Sequence, residues 1–306
     1  MLSDLFYWVL NMSITATLIG LVLLLLRRIG KIPRFVIYLL WSPVLVRLLL
    51  PIGLTSRYSF INLFSRSTAK PVVVKLEVPI ADMSMTNYVR AADTYFPINY
   101  KTDLLEQIFR VSSVIWFVGA VTAILLVAFF YFAGSREIRH SLKPAGGYYV
   151  SGIAAIPLVY GIFRPKIILP SNLDKDQAGY VLAHEKIHIR RLDNLWRMTA
   201  LMTACIHWFN PLIWYFLKTF FNDMEFACDE KAVKTLTPEE RKEYASVMLN
   251  FAVKRTPVAY SAFGGSIIRK RIEYVLNYRT MSIVASLCLT VFIVTMMTVL
   301  LTNPSP

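Results

Sequence analysis

Charge is what this sequence has least of. Only 17% of its 306 residues are charged, while 56% are hydrophobic, a ratio that excludes an ordinary soluble domain. Cysteine is scarce too. Cys205, Cys228 and Cys288 are odd in number and widely spaced, which argues against a disulfide framework. Acidic residues are outnumbered by basic ones, 19 to 33, for a formal net charge of +14. In so apolar a chain that surplus points to basic loops facing anionic lipid, not to a nucleic-acid partner. Histidine occurs only 4 times, so two in register carry weight.

The long apolar runs define the expected organisation. Leu5 to Leu26 carries no charge and is followed by Arg27, Arg28, Lys31 and Arg34. It is too long for a signal core and has its charge behind it, so it reads as a retained span. Phe35 to Leu54 holds one charge, Arg47, near enough to one end to snorkel. Val111 to Ala133 and Met281 to Leu301 complete the set, each long enough to cross about 30 Å of hydrocarbon.

The basic loop 27–34 between the first two spans has no acidic residue and is expected in the cytoplasm. Counting forward gives transmembrane helices 1 and 2 within 1–54, an extracellular loop at 55–110, a third span at 111–133, a cytoplasmic domain at 134–280, a fourth span at 281–301 and an outside tail at 302–306. The external loop has neither repeats nor recognisable chemistry, and reads as a cap over the spans.

The chemistry lies in the cytoplasmic region. His184-Glu185-Lys186-Ile187-His188 is H-E-x-x-H within a helix-forming stretch, Asp174 to Asp193. Side chains four apart share a helix face, so both imidazoles reach one metal and Glu185 points at its bound water. Zinc lowers the pKa of such a water, with Glu185 as general base.

A catalytic zinc takes three protein ligands and an open position. His140, His207 and the downstream carboxylates are all in reach of consideration. Glu225 and Asp229, four apart in Glu225-Phe226-Ala227-Cys228-Asp229, offer a ligand and a neighbour that accepts an N–H from a ligating histidine. Between the two motifs, Met198 to Leu217 is uncharged and would score as another span, but a crossing there would separate His184 from Glu225. Asn210-Pro211 breaks a helix at that point. The expectation is a broken, non-crossing hairpin, with His207 a hydrogen-bonded core residue. Upstream, Tyr148 to Gly152 and Arg164 to Pro170 read as two strands joined through Pro157 and Gly161. An edge strand carrying Arg164, Lys166 and Ile168 would pair with an extended substrate.

Taken in order, Gly152…Pro157…Gly161 to Pro170, H-E-K-I-H at 184–188, His207-Trp208-Phe209-Asn210-Pro211-Leu212, and Glu225 to Glu230 resemble the BlaR/MecR family of membrane metallopeptidases over nearly the whole chain. The resemblance implies a mainly α integral membrane protein of four transmembrane helices with a cytoplasmic gluzincin-like α+β zinc protease domain. It implies zinc bound by His184, His188 and Glu225, with Glu185 as general base. It further implies a bacterial plasma membrane location, a cytoplasmic repressor of the BlaI/MecI type as substrate, and self-cleavage near Thr256 to Gly265. A homodimer is compatible with it. The antibiotic-sensing members continue into an extracellular penicillin-binding domain, whereas this sequence stops at Pro306; sensing is then expected in the external loop, the spans or a separate protein. Two other functions would share these motifs. One is a housekeeping membrane protease acting on prenylated or damaged proteins. The other is a non-catalytic receptor with a structural zinc, which needs a fourth ligand such as His207 or His140.

Overall fold

The computed structural model describes residues 1–28, 32–50, 55–56, 103–140, 143–154, 156–171, 173–254 and 264–279, with 288, 291–292, 295 and 303–304. Most of the expected external loop, the expected self-cleavage segment through residue 263, and nearly all of the expected fourth span lie outside the described residues.

The first apolar run forms α1, Leu2–Leu26. Its polar side chains turn onto their own helix: Asn11 donates to the Tyr7 carbonyl at 2.8 Å and Thr15 to the Asn11 carbonyl at 3.0 Å, which satisfies buried donors among apolar neighbours. The second run is not one helix. It divides at Leu40 into α2, Arg34–Leu39, and α3, Trp41–Leu49. Arg47 does not snorkel; it is 1% exposed, because α3 packs against α1 and turns that face inward. β1, Thr55–Ser56, follows. α4, Asp103–His140, carries the third run; the side chain of His140 is outside the described ones. α1 and the Glu106–Gly134 part of α4 are, among the described residues, the two helices long and apolar enough to cross a membrane. α4 leaves Val114, Ile115, Val118, Phe129 and Phe130 exposed.

Four short strands come next: β2, Lys143–Pro144, β3, Tyr149–Ser151, β4, Leu158–Tyr160, and β5, Lys166–Pro170. Their order across the sheet is β2-β3-β5-β4. The two expected strands are therefore not a hairpin. β3 and β5 run parallel, with Val150 opposite Leu169, and β4 returns antiparallel on the far side of β5, with Val159 opposite Ile167. Gly161, at φ +104°, makes the reversal from β4 to β5. The most apolar strand takes the interior place: Ile167, Ile168 and Leu169 are buried.

Five helices complete the described core: α5, Lys175–Arg190, α6, Asp193–Ile206, α7, Pro211–Val233, α8, Pro238–Lys254, and α9, Gly264–Leu276. A last pair of residues, β6, Asn303–Pro304, lies parallel to β1. The sheet packs on α5 and α8 through Ile167, Leu169, Val181 and Val247.

The uncharged stretch 198–217 is a helical hairpin. α6 ends at Ile206, and α7 starts with Pro211 in its first turn behind Asn210, whose side chain accepts the Leu212 N–H at 3.0 Å. The tip docks on α1 and α4. Asn210 donates to Ser13 and Thr17, each at 2.9 Å, and Trp208 donates to the Trp116 carbonyl at 3.1 Å. A Cβ on Gly20 would lie 2.3 Å from the Phe216 ring and one on Gly119 2.5 Å from Trp208, so both glycines are demanded by close approach. His207 is buried and its Nε2 lies 3.0 Å from the Leu48 carbonyl; it belongs to this core, far in role from any ligand. Both outer ends of the hairpin return to the histidine motif on α5.

Candidate active site

The spacing of H-E-x-x-H works because α5 is regular there. His184 and His188 fall on one face, with their Nε2 atoms 3.2 Å apart. Glu225, on α7, faces both: its Oε2 is 3.6 Å from His184 Nε2 and its Oε1 is 3.7 Å from His188 Nε2. Ligand atoms roughly 2.0–2.1 Å from a tetrahedral zinc stand about 3.3 Å apart. The three donors thus already form a triangle of nearly that size, and the residues fit a zinc ion.

Each remaining imidazole nitrogen is held. His188 Nδ1 donates to Asp193 Oδ2 at 2.6 Å. His184 Nδ1 lies 2.7 Å from the Tyr244 hydroxyl, which donates to Asp229 Oδ1 at 2.8 Å. Asp229 itself is 3.5 Å from His184 Nδ1, so the tyrosine stands between the histidine and the carboxylate expected to hold it directly. These partners leave both Nε2 atoms for the metal.

Asp193 is reached by a sharp turn. Leu192 between α5 and α6 adopts φ +57°, a left-handed conformation that a leucine takes only at a cost of order 1–3 kcal/mol. It brings a carboxylate five residues past His188 back to face it.

The anions are held by cations in turn. Arg271 on α9 donates to Asp229 at 2.6 and 2.9 Å and pairs with Glu225 Oε2 at 3.2 Å. Arg197 on α6 also bonds Glu225. Glu185 differs: among the described residues it makes no hydrogen bond or ion pair, and it lines the cavity beside His184 and His188. That cavity has a volume of about 650 Å³, with Leu158, Val159, Phe221, Met248 and Ile268 among its walls.

Charge states follow from these contacts. Burial alone would lower His184, but Cys228, Glu225 and Asp229 outweigh it and hold it well above its ordinary value. Burial would likewise lower His188, but Asp193, Cys228 and Glu225 outweigh it, and the imidazole is pushed up to about 9. Burial would raise Glu225; Arg271, His184, His188 and Arg197 hold it well below the usual carboxylate range. Anions gathered about two imidazoles favour a cation in their midst.

Cys228 offers a rival donor, since one donor atom each from His184, His188 and Cys228 lie within 4.8 Å of one another. Its thiol donates to the His184 carbonyl at 3.4 Å and approaches His184 Nδ1 at 3.6 Å, the nitrogen already taken by Tyr244. Glu225 faces the free nitrogens and opens on the cavity, so it is the better third donor.

The residues expected to hold a substrate strand lie on or before β5, which sits between β3 and β4. Ile168 is paired on both sides, with Tyr149 of β3 and Leu158 of β4, and Lys166 is paired with Tyr160 of β4; Arg164 precedes the strand in an exposed turn. The edge beside the cavity is β4. Asn194, next to Asp193, donates to the carbonyls of Val159 at 3.2 Å and Gly161 at 2.9 Å, anchoring that edge to α6. Asp193, Asn194, Arg197, Tyr244 and Arg271 were not legible as site residues; the only signal was Asp193-Asn194 shortly after the motif.

Residues 7–275 match the family described as BlaR1 peptidase M56. The chain belongs to that family. Over 135 residues it is 36% identical to the regulatory protein BlaR1 of Bacillus licheniformis, covering 41% of this chain and 22% of that protein. Over 136 residues it is 26% identical to the methicillin resistance mecR1 protein of Staphylococcus aureus strain Mu50, covering 41% of this chain and 23% of the relative. The match thus spans less than a quarter of either curated relative. The family's description is that of a peptidase, and His184, His188 and Glu225 gather the donors that a metal-dependent one would need.

Proposed function

We propose that this chain is a membrane-embedded zinc endopeptidase of a regulatory system, whose substrate is a cytoplasmic repressor of the BlaI/MecI type. The observation that carries the reading is the donor triangle at 3.2, 3.6 and 3.7 Å with Glu185 uncommitted beside it. His184, His188 and Glu225 would hold the zinc. Bound there, zinc would supply Lewis acidity and lower the pKa of water toward neutral. Glu185 is placed to act as general base toward the attacking water and then as general acid toward the leaving amine.

Substrate backbone lies along β4. Asn194 takes the carbonyls of Val159 and Gly161, and by strand alternation the Val159 N–H faces the same way. That N–H and the Pro157 carbonyl are the free partners for an extended peptide, and apolar walls receive its side chains.

The proposed topology has four spans, 5–26, 35–54, 111–133 and 281–301, with the zinc domain 134–280 in the cytoplasm and hairpin 198–217 non-crossing. Its support is the length of α1 and α4, the basic residues behind the first and third runs, and the pairing of β1 with β6, which agrees with the start of the external loop and the tail being on one side. The relatives' names, a regulatory protein and a methicillin resistance protein, support a place in resistance signalling.

The test is Glu185→Gln in reconstituted membranes with a purified repressor. Zinc content should stay at the wild-type level while cleavage falls about 10²- to 10⁴-fold. Cleavage at the wild-type rate would sink the mechanism.

A further inference from the structure

We infer that Tyr38, on α2 in the membrane-side N-terminal segment, is a positioning residue for the metal site and acts on His188 through Asp193. The inference rests on the reading of His184, His188 and Glu225 as zinc ligands.

Asp193 is 0% exposed, and both its oxygens are engaged. Oδ2 accepts from His188 Nδ1 at 2.6 Å; Oδ1 accepts the Tyr38 hydroxyl at 3.1 Å and pairs with Arg191 Nε at 3.2 Å. The orientation of a ligating imidazole is set by what its other nitrogen bonds. The plane of the Asp193 carboxylate is set in turn by Tyr38 and Arg191. Tyr38 is itself immobilised: its ring stacks on Phe220 at 5.7 Å and 13°, and the Arg191 guanidinium lies over it at 4.3 Å. The hydroxyl therefore stands at a definite point, and a shift of α2 moves the donor on which Asp193 depends.

The same segment reaches the other half of the ligand set. Arg27, just past α1, donates to Asp223 Oδ1 at 2.7 and 3.0 Å, and Trp41 on α3 donates to Oδ2 at 2.8 Å. Asp223 lies on α7 two residues before Glu225, and α2 packs along that helix. Arg27, Tyr38 and Trp41 thus reach His188 on α5 through Asp193 and α7 through Asp223 without lining the cavity. A displacement of the N-terminal helices reaches the ligands by this route.

The experiment uses the full chain in nanodiscs and reads two properties besides activity: zinc affinity by competition with a chromophoric chelator, and the visible spectrum of the cobalt-substituted protein. Tyr38→Phe keeps the stacked ring and removes only the hydroxyl. It should weaken zinc binding roughly 3- to 10-fold, as loss of one buried hydrogen bond implies, and shift the cobalt bands. Asp193→Asn should weaken zinc binding about 10- to 100-fold. The double variant should be no weaker than Asp193→Asn alone, because both changes break one chain of contacts. Wild-type affinity and an unaltered cobalt spectrum in Tyr38→Phe would overturn the inference, as would full additivity in the double variant, which would assign Tyr38 to packing. Zinc binding that survives loss of both His184 and His188 would overturn the metal reading itself, an outcome distinct from failure of the relay.

Discussion

His188 Nδ1 and Asp193 Oδ2 lie 2.6 Å apart across the left-handed turn at Leu192. The contact joins the last turn of α5 to the first of α6, and with them the histidine motif to the hairpin that follows. It also decides which nitrogen of His188 is left for metal. The chemistry of the site is therefore tied to the packing of elements that carry no ligand.

The proton on His188 makes stability depend on pH. Burial would lower this imidazole, but Asp193, Cys228 and Glu225 raise it to about 9 from 6.5. In zinc-stripped protein this raised value contributes stability that is full below about pH 6.5 and is lost as pH rises through about 9. Zinc must displace the same proton, so its affinity rises over that range. Melting curves between about pH 6 and 9.5 should show a zinc-induced gain that grows with pH. A gain largest at the acid end would contradict this.

Asn194→Ala removes two hydrogen bonds from β4 and leaves the carbonyls of Val159 and Gly161 without that partner. His184, His188 and Glu225 are not touched. KM for an extended peptide should rise several-fold, as about 0.5–1.5 kcal/mol per bond implies, with kcat within about twofold. A fall in kcat at constant KM would place Asn194 in the chemistry instead.

Gly20→Ala puts a methyl 2.3 Å from a ring atom of Phe216. That ring is buried and lies 5.7 Å from Trp41, so it has little room to yield. The cost should be about 1–3 kcal/mol of stability. Gly134→Ala, with nothing within 4 Å of the new Cβ in α4, should be neutral or stabilising by about 0.5–1 kcal/mol. Thermal unfolding in detergent ranks the two; equal melting temperatures would refute the close contact of α1 with α7.

A fragment of residues 134–280 should not fold into a zinc-binding unit. It lacks Tyr38, Arg27 and Trp41, leaving Asp193 and Asp223 without the donors they have in the whole chain, at about 1–3 kcal/mol for each unsatisfied buried group. It also exposes Ile213, Phe216 and Phe220, which are packed in one cluster with Ile19, Leu23 and Trp41. A soluble fragment with native melting behaviour and stoichiometric zinc would show the region to be autonomous.

What the sequence determined by itself was local in origin. The helical period placed His184 and His188 on one face of α5 and Glu225 and Asp229 on one face of α7. The chemistry of Asn210-Pro211 stopped one helix and began the next, and the uncharged runs marked α1 and α4 as long apolar helices. Those signals act over a turn or two of chain, where backbone geometry alone decides.

The tertiary structure decided the rest. It put β5 inside the sheet and β4 at its edge, because the strand with Ile167, Ile168 and Leu169 buries more apolar surface in the middle. Tyr244 was set between His184 and Asp229, Arg197 and Arg271 were set on Glu225, and Tyr38 was brought to Asp193 across 155 residues of chain. No period or spacing encodes such contacts. They exist because helices far apart in sequence share one core, and buried carboxylates must find donors there.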